Sequence, residues 1–156
     1  MKITLENQYL VPSIEFLKAA KLKGTQSLAR SKFIKLLQVS LQSLGDAEME
    51  MLKQYGEPED NSKPVAEDNP LKKLPDGNFY IPDENKQEWN SEHTKLLKQE
   101  AEIEGGTYLG HTADMLKVVD DYAANTELAG NDAEVYFQLH EALESATQND
   151  EKEDEE

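Results

Sequence analysis

The chain has 156 residues, no cysteine, 37% hydrophobic residues and a formal net charge of -16. That length suits one domain that folds without disulfides or metal, and the missing cysteine excludes disulfides and thiolate catalysis. No run approaches the roughly 18 consecutive apolar residues of a membrane span, and MKITLENQYLVP lacks the uninterrupted apolar stretch of a secretory signal; the expectation is a protein without a membrane segment, suited to a reducing cytoplasm.

KITLENQYLV alternates enough, with Ile3, Leu5, Tyr9 and Val11, to predict a short N-terminal strand or extended arm. Pro12 suits the first turn of a following helix, in which Ile14 and Leu17 share a face, and Gly24 fits the left-handed residue that ends it. Thr25 and Ser27 can cap the next helix, whose stripe runs through Phe33, Ile34, Leu37, Leu41 and Leu44. Beyond Gly45-Asp46 the residues Met51, Leu52 and Tyr55 keep that face, so a nearly continuous helix to about Tyr55 is expected.

Residues 56–78 contain four of the six prolines and almost no periodicity, which predicts a loop or linker. At its end, two short runs flank Pro75-Asp76-Gly77 and predict a small β-hairpin over about 71–82. A helix from Asp83 or Asn85 to about Glu104 would align Trp89, His93, Leu96 and Ile103, with Gly105-Gly106 stopping it. A shorter helix over about Thr112–Ala123 would bury Met115, Leu116, Val119 and Tyr122, and a last one begins at Asn131 with a capping-box-like Asn-Asp-Ala-Glu, presenting Tyr136, Leu139 and Leu143. Six acids among the last seven residues predict a disordered, solvated tail over 149–156. The fold class is therefore mainly α: one helical domain over 1–148 with a Pro-rich loop at 56–78, a short N-terminal strand, a small β-hairpin and the acidic tail.

Catalytic constellations are sparse. His140 and Glu144 stand one helical turn apart, but a zinc-protease helix has histidines at both ends. His111 and Asp114 lack a third ligand, and His93 lies on an apolar face with Trp89 and Leu96. No serine sits in a Gly-x-Ser-x-Gly elbow, and the glycines near 105–110 form neither a Walker nor a dinucleotide loop. The expectation is no enzyme, no catalytic residue, no metal and no cofactor.

Charge is the informative feature. Residues 1–55 hold eight Lys/Arg and five Asp/Glu, a net of +3, whereas residues 56–156 hold eight and twenty-seven, a net of -19. Within the first part, KAAKLKGTQSLARSKFIK carries six positive charges and no carboxylate. A helix-turn-helix for DNA would need side chains suited to base edges, which are few here, and the acidic remainder repels phosphate. The alternatives are that these cations solvate the helical hairpin and neutralise acidic neighbours, or that Lys21, Lys23, Arg30, Lys32 and Lys35 dock an acidic partner surface.

Leu22-Lys23-Gly24-Thr25-Gln26-Ser27, followed by Arg30, Phe33 and Leu36-Leu37, resembles the N-terminal signature of a family of small phage and prophage proteins of Gram-positive bacteria, domain of unknown function family 1617. Gly130 to Glu134, leading into Tyr136 and His140 to Glu144, resembles that family's C-terminal helix. Leu28 stands where a basic residue is expected after Ser27. The resemblance implies phage origin, with genes often near the tail and lysis modules, and supplies no reaction. The expected function is a non-enzymatic accessory protein of the tail or baseplate module or of its assembly, which binds a phage structural protein, a host protein or a further copy of itself, in the host cytoplasm during infection or in the virion. The alternative is an acidic nucleic-acid mimic that inhibits a host nucleic-acid-binding or defence protein, with the acids of residues 83–148 in the role of phosphates.

Overall fold

A computed structural model describes residues 2–104 and 112–155, and the chain is mainly α-helical. Strand β1 (Lys2–Glu6) leads through one 3-10 turn into α1 (Leu10–Ala19), followed by α2 (Gly24–Tyr55), α3 (Asp83–Lys98), β2 (Glu100–Glu104), α4 (Thr112–Ala124) and α5 (Asn131–Asp154). Where the sequence reads as one domain interrupted by a loop, the chain divides into two compact units. One comprises residues 1–42 and 99–156; the other is Ser43–Lys98.

In the first unit, β1 and β2 pair antiparallel with Ile3 opposite Ile103 and Leu5 opposite Ala101. Alternation sends Ile3, Leu5 and Ile103 into the core, all nearly inaccessible, and leaves Lys2 and Glu102 outside as an exposed ion pair at 2.9 Å. Such an exposed, solvent-screened pair contributes little. Helix α5 packs against α4, β1 and α1, which explains the burial of Val135, Leu139, Leu143 and Ala146 on one stripe. Opposite them, α4 buries Met115, Val118 and Val119, and α1 buries Leu10, Ile14, Phe16 and Leu17.

Four expectations about element ends change. Glu100–Glu104 is a strand, not the end of the preceding helix. In EAEIE the residues Ala101 and Ile103 alternate with glutamates as a period-two strand requires, and pairing with β1 buries Ile103 more completely than an exposed helix end would. Gly24 does have positive φ, 56°, but it opens α2 instead of closing α1, which ends five residues earlier at Ala19. Thr25 and Ser27 accordingly lie inside the first turns of α2. Finally, α5 runs on through the acidic segment to Asp154. Extending a formed helix adds a hydrogen bond per residue without a new nucleation cost, and Asp150 accepts a hydrogen bond from the Thr112 hydroxyl at 2.8 Å at the start of α4. Thr147 donates to the Thr112 oxygen at 3.1 Å, or to the Leu143 carbonyl at 2.8 Å. At the other end of α5, Asn131 makes no capping box: Gly130 occupies the cap with φ 57° and no side-chain cap bond forms.

In the second unit, the latter part of α2 and α3 flank an irregular segment whose β character is confined to isolated bridges, Pro58 with Leu71, Ala66 with Asn69 and Lys73 with Phe79. The last of these is the expected hairpin in short form. Gly77, at φ 89°, makes the turn, and Leu74 and Tyr80 donate their amides to Asn78 and Lys72 carbonyls. The Pro-rich stretch is ordered from within by buried Asn69. Its Oδ1 accepts from the Asp60 amide at 2.9 Å, and its Nδ2 faces the carbonyls of Asp60, Lys63 and Pro64 at 3.0–3.2 Å. Nothing in its local composition distinguishes this asparagine from the loop's other polar residues.

Candidate functional site

The basic stretch divides by role. Lys21 and Lys23 are exposed in the connection between α1 and α2, and Lys35 is exposed on α2. Lys21 also lines a cleft of about 650 Å³ with Leu22, Gln26, Asp121, Tyr122 and Asn125. Lys32 is half-buried on the same side of α2 as Lys35, by a spacing of three, and exposed Leu28 and Val39 continue that stripe at spacings of four. The result is a face on which two apolar side chains flank a pair of cations.

Arg30 belongs to a different structure. Its guanidinium donates to the Ala20 carbonyl and, at 3.5 Å, to the Leu17 carbonyl, and it reaches Ser27 Oγ at 3.3 Å. The last carbonyls of a helix have no intrahelical partner and carry the negative end of its dipole. Arg30 therefore closes the C-terminus of α1 onto α2. Its charge is therefore spent inside the fold, whereas Lys21, Lys23 and Lys35 are exposed.

A second cluster forms where α4 meets α5. Asp120 Oδ1 accepts hydrogen bonds from the Tyr136 hydroxyl at 2.7 Å and from His140 Nδ1 at 2.9 Å. The carboxylate can only accept, so Nδ1 carries the proton and Nε2 faces outward, 3.9 Å from Glu144 Oε2. Tyr136 also stacks against Phe16, with ring centroids 6.4 Å apart. The hydrogen bond to Asp120, then burial, then the Asp120 charge push the Tyr136 phenol up to about 12. The same bond raises His140 against the opposing effect of burial, helped by the charges of Asp120, Glu144 and Glu141. The His140–Glu144 spacing is legible in the sequence, whereas Asp120 reaches them only through helix packing.

The raised tyrosine sets a stability dependence at high pH. Because Tyr136 holds its proton more tightly when folded, its contribution is complete below the ordinary value of 10 and is lost as pH rises from there through about 12. The difference in urea-unfolding free energy between the native chain and Tyr136→Phe is expected to be constant at neutral pH and to shrink across that window. A difference that does not change with pH there would disprove the hydrogen-bonded phenol.

The other histidines are simpler. His93 bonds Glu48 at 3.0 Å and stacks on Trp89 at 4.9 Å, a satisfied half-buried imidazole in the second unit. His111 and the glycines at 105, 106 and 110 lie outside the described residues. None of the described helices is long and apolar enough to cross a membrane. No family model, no curated protein and no solved structure matches the chain.

Proposed function

We propose that the chain is a non-enzymatic accessory protein, of the phage type its residues 22–37 and 130–144 resemble, that acts by binding another protein through the basic α1–α2 connection and the start of α2. The observation that carries this reading is the α2 face on which exposed Leu28 and Val39 flank Lys32 and Lys35, with exposed Lys21 and Lys23 at its N-terminal end. Apolar side chains supply affinity when desolvated, while surrounding cations select an acidic partner and speed its approach. The fitting partner presents carboxylates around an apolar side chain, on a phage structural protein or a host protein in the infected cell.

The test is affinity purification from infected cells with the native chain and with a Lys21→Ser/Lys23→Ser/Lys35→Ser variant, Arg30 left intact. One protein should be recovered with the native chain, at least about tenfold less with the variant, and less again as salt is raised. Recovery that survives the triple change, and is lost instead when acids of α3 and α5 are neutralised, would replace this reading with the nucleic-acid-mimic one.

A further inference from the structure

The outer face of α5 holds a donor set that the basic hairpin does not involve. One imidazole nitrogen of His140 and one carboxylate oxygen each from Glu141 and Glu144 lie within 4.8 Å of one another, and Nε2 is 3.9 Å from Glu144 Oε2. A run of acids alone would mark only a solvated helix face. Here the imidazole is aimed by a partner on another helix: Asp120 of α4 accepts from Nδ1, and the Tyr136 hydroxyl fixes Asp120 in turn. A carboxylate on the far nitrogen of a histidine fixes its tautomer, orients the ring and raises the basicity of the nitrogen that faces a metal.

We propose that His140, Glu141 and Glu144 bind a divalent transition-metal ion of the zinc class, with Asp120 as a positioning residue. One imidazole nitrogen with two carboxylate oxygens favours such an ion over calcium or magnesium, which prefer all-oxygen sets. Zinc bonds to nitrogen and oxygen are about 2.0–2.2 Å, so donors sharing one tetrahedral ion stand about 3.3 Å apart. The present separations require shifts on the order of 1 Å, within reach of Glu141 and Glu144 because both are exposed on α5. Three protein donors leave a position for water, or for a carboxylate or imidazole of a bound protein. Sequence spacing supplied His140 and Glu144; the third donor is their neighbour in sequence, and the orienting carboxylate comes from twenty residues away.

The test is calorimetric titration of the full, chelator-treated chain with zinc chloride, checked by the histidine signals in NMR spectra. The expected result is one saturable site that shifts the His140 resonances. Asp120→Asn should weaken it about 10–100-fold and His140→Gln by more, while His93→Gln leaves it unchanged. Glu141→Gln and Glu144→Gln, on the exposed face, should each weaken it without altering the far-ultraviolet spectrum, which keeps the test valid if a change at Asp120 disturbs folding. Zinc binding of equal strength in the His140 variant, magnesium binding as tight as zinc, or the absence of saturable binding would each overturn the proposal.

Discussion

Phe33→Ala is expected to lower the free energy of unfolding by about 3–5 kcal/mol, the largest single-residue effect in the chain. Phe33 and Leu37 are fully inaccessible on α2, one turn apart, and Ile34 beside them is nearly so. Removing the ring loses its transfer free energy and leaves a cavity that close-packed neighbours fill only in part. Against a typical total of about 5–15 kcal/mol, that loss takes the protein close to the edge of folding. Urea unfolding followed by far-ultraviolet circular dichroism measures it. Leu28→Ala, on the exposed face of the same helix, is the control and should stay within about 0.5 kcal/mol. A Phe33→Ala cost below that of an ordinary surface change would mean the α2 stripe faces solvent, and the helical hairpin would have to be redrawn.

The stripes through Phe33 and Leu37, Met115 and Val119, and Leu139 and Leu143 were readable because helical periodicity is local: each predicts its own burial without knowledge of its partner. The continuous α2 was readable for the same reason, since Gly45 and Asp46 do not change the apolar face. What failed was non-local. Residues Glu100–Glu104 pair with a strand nearly a hundred positions earlier, and no property of EAEIE names that partner. Its glutamates are good helix formers, so propensity pointed the wrong way until pairing overruled it. The Pro-rich loop is likewise held by one asparagine whose four hydrogen-bonding partners are set by chain path. The acidic end was misjudged by counting charge without its anchor, Thr112.

The candidate site follows the same division. The basic stretch and the His140–Glu144 spacing are sequence patterns and were visible as such. That Asp120 joins His140, and that Arg30 leaves the group of contact cations, depend on helices meeting. The second point changes how the hairpin should be tested. A variant replacing all five cations would mix loss of a docking surface with loss of a helix terminus, and a failed capture would have two causes.

Arg30→Ala alone should therefore destabilise the protein by about 2–3 kcal/mol, as expected when hydrogen bonds from a charged group to buried acceptors are lost. The Ala20 carbonyl would lose the guanidinium and the Leu17 carbonyl would keep only the Ala20 amide, and Ala20 itself is buried, so water replaces the guanidinium poorly. Arg30→Lys should recover only part of the loss, because one ammonium on a flexible stem cannot span two carbonyls and the Ser27 hydroxyl as the planar guanidinium does. Lys21→Ser, Lys23→Ser and Lys35→Ser should each stay within about 0.5 kcal/mol, as exposed substitutions usually do. Urea unfolding of the five variants separates the roles without any partner in hand. If Arg30→Ala unfolds at the same urea concentration as the native chain, the helix-closing role is wrong, and Arg30 returns to the group of cations available to a partner.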